Sequence, residues 1–241
     1  MVSVSVVSHR QAELVAALLA DLHKYCRPES TQVILTLNLE EPLPFRPEEF
    51  AFDLNIVRNE VPQGFGANHN AAARRARGEF FCVLNPDVRL RCDPFPPLTD
   101  MLRGERIGAV TAQVVAPDGA VEDHAREFPR FGTVLKKAFG EKPPANGASS
   151  PDWIAGMFML FPTALFRQIG GFDERYFLYY EDVDLCARLR AAGYDVRVEP
   201  AVQVVHAARR ASHRRPRYFL WHLQSMLRFL LTAPRKLPPL A

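Results

Sequence analysis

The sequence predicts an α/β fold, a three-layer arrangement around a mainly parallel sheet with a helical appendage at the C-terminus. Three observations predict it. Short β-branched or apolar runs alternate with stretches of helical spacing, the pattern of β-α units wound into a parallel sheet. With 241 residues, 48% of them hydrophobic and 24% charged, the chain is long for one small globular domain and short for two full ones. Charge also breaks sharply: all 27 acids lie at or before Glu199, and eight Lys and Arg with no acid occupy the last 42 residues. The tail is a separate electrostatic object, so the division expected is a body over residues 1–208 and a basic segment with an amphipathic helix over 209–241.

Taken in order, Val2 to Ser8 has the composition of a buried strand, and Gln11 to Tyr25 places Leu14, Ala17, Leu18 and Leu22 at helical spacing. Val33 to Leu37 and Phe52 to Val57 read as further strands, separated by a loop punctuated by Pro42, Pro44 and Pro47. Arg58 to Asn70 is a loop with two glycines running into an Ala-rich helix, and such a helix start offers backbone N–H groups to an anion. Phe80 to Leu84 is a buried strand that delivers Asn85-Pro86-Asp87 at its carboxyl end, where open α/β sheets bind ligands; Asn-Pro-Asp is equally a good β-turn. Val110 to Ala116 reads as a strand, Pro117 to Ala120 as a hairpin turn, and Ala125 to Asp152 as a polar loop that is either a lid or a solvated insertion.

Trp153 to Arg190 reads as a site. An apolar run, Ile154 to Phe161, precedes a short helix, Thr163 to Ile169, and the Gly170-Gly171 turn. Glu181, Asp182 and Asp184 then follow five residues of which four are aromatic, at the start of an apolar-periodic segment. A helix N-terminus accommodates acids, but capping requires one carboxylate and not several behind an aromatic wall. Tyr194 to Val198 and Val202 to Val205 read as two short strands ending at His206.

Four widely spaced cysteines, Cys26, Cys82, Cys92 and Cys186, form no Cys-x-x-Cys pair and read as reduced core thiols, which argues against a zinc site. No apolar stretch approaches the roughly 20 residues of a membrane span, and the N-terminus lacks a signal-peptide pattern, so cytoplasmic residence is expected.

Gly156 to Phe161, Gly170-Gly171-Phe172-Asp173-Glu174 and Tyr180-Glu181-Asp182-Val183-Asp184-Leu185 resemble the acceptor-side block of family 2 inverting glycosyltransferases, particularly the rhamnosyltransferase-like members. Gly64-Phe65-Gly66 with Asn68 resembles that family's nucleotide-sugar loop, and Asn85-Pro86-Asp87 its Asp-x-Asp metal motif with Asn in the first place. The resemblance implies a GT-A type fold and transfer of a sugar, with inversion, from a nucleotide-diphosphate donor to a hydroxyl of a saccharide acceptor. It makes Asp182 the general base with Glu181 beside it, and Asp87, with His206, the holder of a divalent cation, Mg²⁺ or Mn²⁺, bridging the donor's diphosphate. The expected donor contacts are Ser8, Arg10, Asn38, Asn59, Gly64, Phe65, Gly66, Asn68 and Asn85; the expected acceptor contacts are Trp153, Gly156 and Asp184. The family's Asp-Asn-x-Ser after the second strand is replaced by Leu37-Asn38-Leu39-Glu40, so the resemblance does not fix the nucleotide.

A nucleotidyltransferase would show a Gly-rich loop after the first strand, and Ser8-His9-Arg10-Gln11 contains no glycine. A non-catalytic sugar-nucleotide-binding or membrane-adaptor protein of the same fold is the remaining alternative. The run Arg209 to Arg217, with five arginines, suits diphosphate or acidic lipid; nucleic acid is disfavoured because no aromatic platform accompanies it. Tyr218 to Leu231 places Phe219, Leu220, Leu223, Met226, Leu227, Leu230 and Leu231 on one helical face, which either docks on the body or lies on an anionic membrane surface. A lipid-linked acceptor in cell-surface polysaccharide biosynthesis, used peripherally at the inner face of the cell membrane, is the corresponding expectation.

Overall fold

The structure is a computed structural model and describes residues 1–129, 151–206 and 216–232. Its strands are β1 (Val2–Ser8), β2 (Thr31–Leu37), β3 (Asp53–Arg58), β4 (Phe80–Leu84), β5 (Val88–Arg89), β6 (Ile107–Val115), β7 (Ala125–Arg126), β8 (Trp153–Ile154), β9 (Phe158–Pro162) and β10 (Asp195–His206). The α-helices are α1 (Ala12–Tyr25), α2 (Phe65–Arg75), α3 (Phe95–Leu102), α4 (Thr163–Gln168), α5 (Glu181–Ala191) and α6 (Pro216–Thr232).

Eight strands form one sheet in the order β3-β2-β1-β4-β9-β6-β10-β5. The β3, β2, β1 and β4 pairs are parallel, as is β6 with β10; β9 runs antiparallel between β4 and β6, and β5 antiparallel on the far edge. The strand pattern explains the layering. Along β4 and β9, Phe80, Cys82, Leu84, Phe158 and Leu160 enter a core shared with α1 and α3, while Phe81, Val83, Met159 and Phe161 enter a second core shared with α2, α4 and α5. Helices therefore cover both faces, giving the three layers expected. In β1 the alternation of Val and Ser has a specific use: Val2, Val4 and Val6 pack, while Ser3 donates to Gln32 (2.6 Å) and accepts from the Gly78 amide (2.8 Å).

Several elements differ from expectation. The two short strands before His206 are one strand, β10, whose register is irregular between Glu199 and Gln203; Pro200 lies within that irregularity and has no N–H for a ladder. Helix α3 was not anticipated, because Phe95-Pro96-Pro97 reads as a break although proline suits the first helical turn. In the Ala125–Asp152 segment, Ala125–Arg126 pairs with Trp153–Ile154, and residues 130–150 fall outside the described region. Cys26, Cys82 and Cys186 are buried free thiols as expected, whereas Cys92 is exposed. Most of the Arg209–Arg217 run also lies outside the described residues.

Candidate active site

Because β1 to β4 are parallel, their carboxyl ends deliver Ser8, Asn38, Asn59 and Asn85 to one edge of the sheet. Three asparagines there build a scaffold. Asn38 accepts from the Asn59 amide (2.9 Å) and the Gln63 backbone N–H (2.7 Å), and donates to the Gln63 carbonyl (3.0 Å). Asn59 also donates to Asn68 (2.7 Å), which in turn donates to the Gly64 carbonyl (3.0 Å). These side chains hold the turn that starts α2, so their amides serve the loop's shape before they serve a ligand. Ser8 is fully buried, donates to Glu41 and accepts from the Gln11 amide, and Glu41 also accepts from the Ala12 amide at the start of α1, so the side chain supports the first loop. Arg10 is exposed, with a left-handed backbone (φ 60°).

Gly64 caps α2 where a Cβ would lie 2.8 Å from the Phe177 carbonyl oxygen, and the Phe65 amide donates to that oxygen (2.9 Å). The donor loop is thus fastened to the segment preceding the acids. Gly66 packs under Phe172, and the Phe65 ring lies 3.2 Å from where a Cβ of Gly156 would stand.

Helix α5 begins at Glu181, directly after two tyrosines in the left-handed region, Tyr179 (φ 73°) and Tyr180 (φ 67°). Bulky residues hold that conformation only where surroundings impose it, at roughly 1–3 kcal/mol each. The left-handed turn aims the first carboxylates of the helix back at the sheet edge. Asp182 accepts from the Gly156 N–H (2.9 Å) and from the Val183 N–H (2.8 Å). Gly156 lies one residue before Met157, whose carbonyl accepts from the Asn85 amide (2.9 Å), so the end of β4 and the acidic helix meet through four residues of backbone. Burial pushes the Asp182 carboxyl up, and the Gly156 and Val183 amides pull against it. Glu181 is buried with Oε2 lacking a hydrogen-bond partner; burial, then repulsion from Asp182, pushes it well above the usual carboxylate range.

Asp184 is placed differently. It is fully buried and accepts from Arg188 (2.8 Å), whose other nitrogens donate to the Ile169 and Gly171 carbonyls (2.6 Å each). Asp184 thus takes part in an ion pair that ties α5 to the Gly170-Gly171 turn. Trp153 stays beside the site on β8, its indole donating to the Glu127 carbonyl (3.0 Å) with Arg126 above its ring (5.5 Å).

Asp87 and His206 are brought together, 3.3 Å apart, and Glu122, which the sequence did not single out, takes the other imidazole nitrogen at 2.7 Å. Glu122 arrives by the Pro117–Ala120 hairpin, and its side chain carries no local pattern that would mark it. The hydrogen bonds to Asp87 first, then Glu122, hold His206 up to about 9. Because the ring nitrogens point apart, the trio is a chain and not a cage, and among the described residues no three such side chains gather to hold a metal ion. Asp87 nevertheless has one buried oxygen, Oδ1, without a partner, which fits a hard cation whose remaining ligands come from elsewhere.

Helix α6 covers the left-handed turn from outside. Trp221 packs on Phe177 (ring centroids 4.7 Å), His222 on Tyr179 and Tyr180 (5.4 Å each) and Phe229 on Tyr180 (5.7 Å), while the Ser225 hydroxyl donates to the Leu178 carbonyl (3.0 Å).

The Glycosyl transferase family 2 profile matches residues 4–166, and that described as the N-terminal domain of galactosyltransferase matches residues 145–214. The chain is 28% identical to the rhamnosyltransferase WbbL of Escherichia coli over 247 residues, covering 95% of this chain and 92% of the relative. It is 33% identical over 153 residues to the N-acetylglucosaminyl-diphospho-decaprenol L-rhamnosyltransferase of Mycobacterium tuberculosis, which covers 57% of this chain and half of the relative. In fold it is similar to the mannosyltransferase PcManGT of Pyrobaculum calidifontis in complex with GDP-Man and Mn²⁺ (TM-score 0.67, 18% identity, 97% of this chain and 68% of that one). It is also similar to GalNAc-T7 with UDP, GalNAc and Mn²⁺ (TM-score 0.73, 14% identity, 96% and 48%). The chain belongs to glycosyl transferase family 2, with a GT-A fold, and is a rhamnosyltransferase-like glycosyltransferase.

Proposed function

We propose that this enzyme transfers a hexosyl or deoxyhexosyl group, with inversion, from a nucleoside diphosphate to a hydroxyl of a lipid-linked saccharide in cell-surface polysaccharide biosynthesis. The observation that carries the reading is Asp182, held by the Gly156 and Val183 amides at the sheet edge where the donor loop also ends. Each carboxylate oxygen has a further lone pair for an acceptor hydroxyl. Asp182 takes the hydroxyl proton as the acceptor oxygen bonds to the anomeric carbon, on the face opposite the departing nucleoside diphosphate, and the bond electrons leave with that group. Its raised proton affinity suits the task, because a stronger base removes a hydroxyl proton more readily. Phe65 packs against Gly156 beside the carboxylate, and the start of α2, where the Phe65 N–H is taken by the Phe177 carbonyl, leaves the next N–H groups to receive the diphosphate. A divalent cation at Asp87, with His206 near it, would neutralise charge on the leaving diphosphate when bound.

A lipid-linked acceptor is supported by the relative named for N-acetylglucosaminyl-diphospho-decaprenol and by the basic tail, and the working place is the cytoplasmic surface of a membrane. The test is a panel of nucleotide sugars screened by thermal shift with and without chelator, since a ligand bound only by the folded state raises Tm. The stabilising donor is then offered with a polyprenyl-diphosphate saccharide, and the product's anomeric configuration is read by NMR. Inversion supports the reading; retention, or no transfer from any donor that stabilises the protein, overturns it.

A further inference from the structure

Helix α6 has two apolar faces; one is packed on the body, and of the other only Leu230 is buried. Tyr218, Trp221, Ser225, Phe229 and Thr232 recur every three or four residues and turn inward; Ser225 and Phe229 are buried. The other side carries Phe219, Leu220, Leu227 and Leu231, exposed by 68%, 54%, 48% and 76%, with half-buried Leu223 between them. These are half of the eight large hydrophobic side chains that the described residues expose above the ordinary, and four on one helix form a continuous stripe. Trp221 is turned onto Phe177 beneath Arg217.

The geometry points to an anionic bilayer as the occupant of this stripe, with α6 lying in the lipid interface and its inner side holding the turn that carries Glu181 and Asp182. Charge selects this occupant. Arg217 and Arg228 are exposed on α6 beside the stripe, and the last 42 residues hold eight Lys and Arg with no acid to oppose an anionic surface. A second copy of the same face would instead bring these like charges together. Amphipathic helices that rest on membranes combine these two properties, an apolar face and flanking bases, without the length or hydropathy to span; no described helix here is long and apolar enough to cross.

The arrangement deepens the lipid-linked acceptor reading given above and rests on it for its purpose. A helix with its side chains is about 10 Å across, so the Tyr179–Tyr180 turn lies roughly one helix diameter from the lipid headgroups. A saccharide presented on a lipid diphosphate then needs to rise only by about that distance to reach Asp182.

Co-sedimentation tests this without donor or acceptor, so its failure leaves the transfer reading standing, and failure of transfer leaves this one standing. The full chain is mixed with vesicles of phosphatidylcholine alone or with phosphatidylglycerol, at low salt and at 1 M salt. Binding is expected only to the anionic vesicles and to weaken as the Debye length falls from about 10 Å at 0.1 M to about 3 Å at 1 M. The variant Phe219→Ser/Leu227→Ser/Leu231→Ser should lose roughly tenfold or more in partition while keeping its circular dichroism and Tm, because those side chains touch little of the body. Arg217→Gln should cost roughly fivefold. Equal binding by wild type and the triple variant overturns the proposal. So does a concentration-dependent dimer, seen by analytical ultracentrifugation, that the triple variant abolishes and anionic vesicles do not compete with.

Discussion

Two acid clusters lie at the same edge of the sheet and obey opposite electrostatics. Glu181 and Asp182 are adjacent and desolvated, and Arg126 pulls only weakly on Asp182, so both carboxyls are pushed up and each ionisation works against burial. Asp87 and Glu122 share the imidazole of His206, and there the proton affinity that rises is the base's, to about 9. The difference teaches how one fold keeps one carboxylate reactive and others quiet. A charge that the protein stabilises poorly is ready for chemistry, and a charge that it pairs is ready for structure or for a cation.

Asp182→Asn should break the first cluster most deeply. It keeps size and most hydrogen bonding but removes basicity, so kcat is expected to fall roughly 10²- to 10⁴-fold with donor affinity little changed, by steady-state kinetics and calorimetry. The same variant should raise Tm, since an acid whose folded proton affinity is raised weakens the native state above its unfolded pKa. A fall in both activity and Tm would mean that the carboxylate is structural. In wild type, kcat/KM should show an acid limb above the ordinary aspartate range.

Next in size is Asp184→Ala, two residues along. Here a buried ion pair is broken and Arg188 is left desolvated, and stability should drop by about 3–5 kcal/mol in urea titration. Asp184→Ala with unchanged stability but lost acceptor affinity would restore it to the acceptor site.

Asp87→Ala sharpens the second cluster. Donor affinity should lose at least about tenfold, all of it the part that chelator removes from wild type. Equal affinity with and without chelator in the unmutated protein would remove the cation from the account.

The smallest effect is a pH slope. His206 is raised from 6.5 to about 9, so the stability that it contributes is complete below pH 6.5 and is lost as pH climbs to about 9. Wild type, in chelator, should lose at most about 1.4 kcal/mol per pH unit across that window, and His206→Gln should flatten the slope.

The comparison also marks what could be read from residues alone. The β-α alternation, the strand ends and the acids before α5 are local patterns, and the placement of Asp87 at the end of β4 and of Asp182 at the start of α5 follows from them, while the roles proposed for both and for His206 rest on the family resemblance. Glu122 was not legible, because a hairpin 84 residues before His206 brings it there and no spacing encodes that. The loop-holding hydrogen bonds of Asn38, Asn59 and Asn68 were not legible, because side chains at a loop look alike in sequence whether they hold a ligand or the loop's own carbonyls. Helix α6 misled for a related reason. Its apolar residues were grouped as one face, yet the side that docks is the one with Ser225, where aromatic rings and a single hydroxyl match the backbone of the left-handed turn.

The antiparallel strand β9 has a consequence for how the chain reaches this state. It inserts between β4 and β6, which precede it by about a third of the chain's length or less, and so completes the centre of the sheet after both are made. Until Phe158–Pro162 leaves the ribosome, β4 presents a bare row of amides and carbonyls beside five buried apolar residues, Phe80 to Leu84. A nascent chain halted before Trp153 should therefore recruit holdase chaperones or aggregate more than one halted far enough past Thr163 for β9 to have cleared the exit tunnel, and ribosome-bound nascent chains of the two lengths would show it by pelleting. The segment that closes the sheet is thus also the clasp on which vectorial folding waits: it precedes the acids that open α5, so the sheet is completed before those acids are made.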